Sequence, residues 1–147
     1  MNRLQASSLT AIQPLVHVFA VPIYGWILDR TGKVRVLLTM GMTLKAVSFV
    51  MMAYSWNVYL AASIAVSGVT AAMVPPASQV VPSKVLGSSL ASVGFAVMLT
   101  CFNIGVGIFP PLIGYVIDLT NSYVFSFLAM MAFTLVGGVV AYTIRVR

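Results

Sequence analysis

The sequence predicts an all-α integral membrane protein with about five transmembrane helices. Three observations predict it. Of the 147 residues, 61% are hydrophobic and only 7% are charged, and the mean hydropathy is +1.05. A soluble domain carries about 25% charged residues, so this chain lacks the polar surface to enclose a core in water, and lipid must be its solvent. The apolar residues also fall into five blocks, each long enough for the roughly 20 residues that a spanning helix needs. Finally, every charged residue except Lys45 lies at the end of a block or between blocks.

The first block covers about 8–28. Gln13, Pro14 and His17 interrupt it, and no small-residue cleavage site follows, which argues against a secretory leader despite Arg3. The second covers 36–54, after the stretch Asp29 to Arg35. The third covers 58–76, between Ser55-Trp56-Asn57 and a break expected from Pro75 to Lys84. The fourth, 88–117, is too long for one straight perpendicular crossing; Pro110 and Pro111 should kink it, or its start lies in the cytoplasmic interface. The fifth, 123–144, follows the break Asp118 to Ser122. The five make one transmembrane domain over 1–147.

Successive helices alternate sides. Arg30, Lys33 and Arg35, then Lys84, then Arg145 and Arg147 therefore share one side, against Arg3 and Asp118 on the other. Cytoplasmic loops concentrate Lys and Arg, so the N-terminus is expected outside or in a lumen and the C-terminus in the cytoplasm. The net charge of +6 does not indicate nucleic acid, because the basic residues stand singly between apolar blocks. The lone Cys101 allows no intramolecular disulfide and no metal cluster. There is no phosphate-binding loop, paired-carboxylate site or catalytic triad, so neither an enzyme nor a cofactor is expected.

One pattern occurs twice. Pro22-Ile-Tyr-Gly-Trp-Ile-Leu-Asp-Arg-Thr31 and Pro111-Leu-Ile-Gly-Tyr-Val-Ile-Asp-Leu-Thr120 both read Pro-x-x-Gly-aromatic-aliphatic-aliphatic-Asp-x-Thr. The copies end helices three apart, an odd number, so they have opposite orientations in the membrane. Inverted three-helix repeats are a construction rule of secondary transporters. Only the first copy continues into a basic run, Gly32-Lys33-Val34-Arg35.

At these residues the chain resembles the major facilitator superfamily (MFS). Its cytoplasmic hairpin reads Gly-x-x-x-Asp-(Arg/Lys)-x-Gly-(Arg/Lys)-(Arg/Lys). Gly25, Asp29, Arg30, Gly32 and Lys33 match, whereas Val34 departs and Arg35 supplies the last charge one place late. Pro82 to Ser89 resembles the basic loop before the family's eleventh helix, and Asn103, Gly105, Pro110-Pro111, Gly114 and Asp118 resemble that helix. The resemblance covers nearly the whole chain. It implies helices eight to twelve of a twelve-helix fold, that is, part of the C-terminal half. A fainter echo of the lysosomal dipeptide-exporting branch rests on Thr31-Gly32-Lys33, Trp56-Asn57, Val80-Val81-Pro82 and Leu86-Gly87.

The resemblance gives the hairpin of Gly25, Asp29, Arg30, Gly32, Lys33 and Arg35 a gating role. As plain chemistry it is a capped turn with a topology signal, Gly25 permitting close helix approach and Asp29 accepting hydrogen bonds from a neighbouring helix N-terminus. Gln13, His17 and Tyr24 fall roughly on one helix face. By resemblance that helix lines the substrate cavity, and histidine titrates where proton coupling operates. The alternative is a neutral histidine bonded to a neighbouring helix. Lys45, in mid-helix, serves either a pathway or a structural pair, since an intramembrane lysine avoids lipid. Ser63, Ser67 and Thr70 read first as a packing stripe. Thr100 and Asn103 lie on a cavity helix by resemblance, Asn103 being the better candidate because a buried amide demands partners. Pro110, Pro111, Gly105, Gly107 and Gly114 read as a kink or hinge with close packing.

The expectation is a secondary transporter of a small solute by alternating access, with H+ or another coupling ion as a candidate. Five helices lack a half and one further helix, so the chain alone should be incomplete. A truncated product or fragment is favoured, completed by an N-terminal half or by partner subunits, although Met1 resembles a start. The alternative is a membrane protein that transports nothing and acts through helix association.

Overall fold

Hydrocarbon offers no hydrogen bonds, so each backbone group in these blocks must pair within its own segment. The computed structural model describes the backbone of residues 3–55 and 58–144, and side chains within 11–55 and 59–144. These residues form six helices: α1 (Arg3–Thr31), α2 (Val34–Tyr54), α3 (Val58–Ala71), α4 (Val74–Leu86), α5 (Ala91–Thr120) and α6 (Tyr123–Thr143). Among them are five segments long and apolar enough to cross a membrane, α3 and α4 together making the third, Tyr59–Leu86. The protein is all-α, with no strand among the described residues. The expected break at Trp56-Asn57 and the basic tail at Arg145 and Arg147 lie outside the described residues.

The stretch from Pro75 to Lys84 is helical, not the expected loop. Pro75 and Pro76 carry no N–H, so they cannot bond back to the carbonyls of Ala71 and Ala72. The ladder breaks there, with Met73 N–H reaching only Thr70 O, at 3.4 Å. Beyond the break, a missing N–H does no harm in the first turn of a new helix, and α4 starts with the two prolines in that turn. The true turn comes later, at Gly87 to Leu90, where Gly87 takes a φ of +76° and its N–H bonds Ser83 O at 3.1 Å. Lys84 therefore lies in the last turn of α4.

Small residues set the helix crossings. Gly41 of α2 faces the α3–α4 break so closely that a Cβ there would lie 2.9 Å from Met73 Cβ. A Cβ on Gly68 would lie 2.9 Å from the backbone oxygen of Gln13 and 3.1 Å from Val16 Cβ, which marks where α3 crosses α1. Ser48 of α2 and Ser63 and Ser67 of α3 are fully buried. Close backbone approach through small side chains is how helices associate in lipid. Helices α2 and α6 run antiparallel: Arg35 stacks on Tyr142 at 4.2 Å, and Met42 packs against Gly137 and Gly138. The apolar core lies at the hairpin end of the bundle, where Leu28, Val34, Leu37, Leu38, Met73, Ala77 and Ala141 come together.

Helix α5 stands apart. It touches α4 and α6 but buries none of its residues. It runs as one helix through Pro110 and Pro111; its 30 residues measure about 45 Å at 1.5 Å each, against a hydrocarbon core of about 30 Å. The close packing expected at its glycines is found among the described residues only near its start, where a Cβ on Gly94 would lie 2.6 Å from Leu86 Cδ1, whereas a Cβ on Gly107 or Gly114 would meet nothing within 4 Å. The same holds for Gly25 of α1, because no described helix lies against that face.

The crossings differ in what they tolerate. Replacing Gly68 by alanine should push α1 from α3 and destabilise the fold by about 1–3 kcal/mol, read as a lower thermal midpoint in detergent. Gly25→Ala, with open space around it, should leave the midpoint unchanged or raise it.

Candidate functional site

The basic hairpin is built by a left-handed residue. After Thr31, Gly32 takes a φ of +63°, which costs a glycine nothing. Its N–H bonds Leu28 O at 2.7 Å, and Thr31 Oγ1 donates to Ile27 O at 2.8 Å. The second copy of the repeat ends α5 in the same way. Asn121, at φ +49°, follows Thr120; its N–H bonds Ile117 O at 2.8 Å, and Thr120 Oγ1 donates to Val116 O at 2.7 Å. Equivalent positions thus make equivalent bonds, and the threonine followed by a residue able to take positive φ carries the helix stop.

The hairpin's cations are engaged differently. The Arg30 guanidinium lies 4.4 Å from the Trp26 ring one turn back, at the exposed surface. Arg35 reaches across to Tyr142, and its Nε is buried without a hydrogen-bond partner among the described residues. Arg35 is therefore also a clamp between α2 and α6, through cation–π attraction. Lys33 and Asp29 are exposed. The carboxylate of Asp29 meets no helix N-terminus among the described residues, because α1's hairpin end packs inward through Leu28.

The other predicted residues do not converge. Half-buried Gln13 and His17 line a small groove of about 310 Å³ with Pro14 and Val18, beside the crossing at Gly68. Tyr24 is not with them. It stands about 10 Å further along the axis and packs on the apolar core. Asn103 is exposed, not buried, and its amide donates to Leu99 O of its own helix at 2.8 Å. Thr100 likewise bonds Ala96 O. The exposure of Asn103 has one cause, the absence of any buried position on that helix among the described residues.

Lys45 lies in a different place, between α2, the α3–α4 junction, α5 and α6, where it borders a cavity of about 880 Å³. A lysine at mid-membrane costs about 2.5–3.5 kcal/mol on insertion scales. Here its Nζ donates to Ser67 O at 3.3 Å and to Ser67 Oγ, and lies 4.7 Å from the Phe49 ring. The partner is a neutral serine of α3. Local periodicity does not join positions 22 residues apart; the signal for this pair was the Ser63-Ser67-Thr70 stripe, read first as packing. Pro110 and Gly114 also border this cavity. Among the described residues, no group of His, Cys, Asp or Glu could hold a metal ion.

Comparison with known proteins places these features in a lineage. The sequence profile of the Major Facilitator Superfamily matches residues 1–147. The chain is 26% identical over 150 residues to the lysosomal dipeptide transporter MFSD1 of Bos taurus, an alignment covering 95% of this chain and 31% of that protein. It thus spans about a third of the length of the curated relative it matches. No solved structure matches it. With the family profile matched from the first residue to the last, the chain belongs to the Major Facilitator Superfamily.

Proposed function

We propose that this chain serves in moving a small solute across a membrane by alternating access, as the C-terminal part of a transporter whose remaining helices lie outside these residues. The observation that carries the reading is the family match over residues 1–147. The open faces support it. Gly25, Gly107 and Gly114 have space beside them, and α5 has no buried side, as surfaces that await neighbouring helices would. Dipeptides are the first solutes to test, because the relative that is 26% identical is named a dipeptide transporter.

Within that reading, the exposed Asp29 is the gating contact of the hairpin, held ready for a helix N-terminus of the other half. Gln13 and His17 border the solute route, and a coupling ion such as H+ passes near His17. The hairpin, with Lys84, faces the cytoplasm, since membrane loops rich in Lys and Arg stay on that side.

Three outcomes test this. In the version of the protein bearing all its helices, Asp29→Asn should lower dipeptide uptake about tenfold or more, the scale of a charge-assisted hydrogen bond. No uptake of any solute in a panel, alongside stable pairing with partner helices, would favour pure helix association instead. His17→Ala should reduce uptake at unchanged surface expression; full uptake would remove His17 from the route. For topology, cysteines placed by Ser88→Cys and Asn121→Cys in a Cys101→Ser background should react with an impermeant maleimide from the cytoplasmic and the outer side respectively. The reverse pattern would invert the orientation.

A further inference from the structure

Gly41 and Lys45 stand one turn apart on α2, and residues four apart share a helix face. That face straddles the interruption of the third span. Gly41 abuts its far side: a Cβ there would lie 2.9 Å from Met73 Cβ and 3.2 Å from Cγ2 of Val74, the first residue of α4. Lys45 reaches its near side. There Nζ donates to Ser67 O at 3.3 Å and to Ser67 Oγ, one turn before Ala71 ends α3.

The near side is electrically negative. The C-terminal end of a helix gathers carbonyls and carries a partial negative charge. Pro75 and Pro76 withhold the two N–H groups that a continuous helix would give to Ala71 O and Ala72 O. At an exposed helix end water satisfies such carbonyls, but Ala72 is fully buried. A cation suits this end, and discontinuous helices of transporters meet the same demand with bound ions at half-helix C-termini. The Lys45 side chain borders the same space as Ala71 and Val74, which sets its charge beside the break. A mid-membrane lysine and a proline pair each cost stability alone; side by side, each offsets the other.

We propose that Lys45 is the built-in cation of this break, a positioning residue that pins α3 and α4 in their interrupted arrangement from α2. The proposal rests on contacts within these residues and is independent of the solute and of any uptake measurement.

The test is a mutant cycle in the version of the protein bearing all its helices, read as the thermal midpoint in detergent. Lys45→Met should lower the midpoint. In a Pro75→Ala, Pro76→Ala background, which returns N–H groups to Ala71 O and Ala72 O, the same change should lower it by less than about half as much. An equal loss in both backgrounds would overturn the proposal, because a lysine serving any other partner does not sense the prolines. A second measurement needs no proline variant. Spin labels on Tyr59→Cys and Val85→Cys, both exposed positions, bracket the break in a cysteine-free background; along a continuous helix they would be about 39 Å apart. Double electron–electron resonance should give a narrow distance distribution with Lys45 in place and one about twice as broad, or broader, in Lys45→Met. Ser67→Ala, a milder change that removes one acceptor of Nζ, should broaden it less. A distribution unchanged in both variants would equally overturn the pin.

Discussion

A backbone amide in hydrocarbon has no partner but another backbone group or a nearby side chain, and every feature of this fold answers to that demand. It makes the protein all helix. It also decides where the prolines can lie. Pro75 and Pro76 interrupt the third span, and the interruption is made tolerable by letting them begin a new helix, where an absent N–H leaves nothing unmet. The polar side chains follow the same logic. Ser48, Ser63 and Thr70 return their hydroxyls to carbonyls of their own helices, at 2.7 to 3.1 Å.

The close crossings at Gly41 and Gly68 come next in the chain of cause. They fix α1, α2 and α3 at short distance and bring the α3–α4 break beside α2. Only at such a distance can Lys45 of α2 reach Ser67 of α3. A mid-membrane charge thus becomes tenable through helix packing, and that packing also leaves the cavity on whose edge the charge sits. At the hairpin end, Arg35 on Tyr142 and the apolar cluster hold α2 to α6.

The class of fold and the number of spans were legible because hydropathy acts over whole segments, and so was the hairpin turn, because Gly32 follows a helix-ending threonine. Local chemistry misled where its effect depended on a neighbour. Pro75 and Pro76 read as the start of a loop, since a breaker looks the same from either side; only the helical pattern of Val80 to Leu86 settles that a helix resumes. Asn103 read as an amide in need of a buried partner, yet α5 buries no residue among those described, and the amide turns back to Leu99 O of its own helix. Gly25 and Gly114 read as contact points, whereas the close approaches among the described residues are at Gly41, Gly68 and Gly94, which no motif marks. The Gln13–His17–Tyr24 face divides because Tyr24 lies seven residues beyond His17, enough for the groove to give way to the core.

Helix α5 has a further consequence, for the order in which the protein is made. A membrane helix first enters the bilayer and then finds its neighbours, and for most helices the second step secures the first. With no buried residue among those described, α5 gains little from the other helices of this chain, and its own apolar length is enough to seat it in a bilayer. Helix α2 is the opposite case, since its lysine is comfortable only once Ser67 has arrived. Synthesis from the N-terminus therefore delivers α3 immediately after the helix that needs it, and α5 late, when waiting for a neighbour carries little risk.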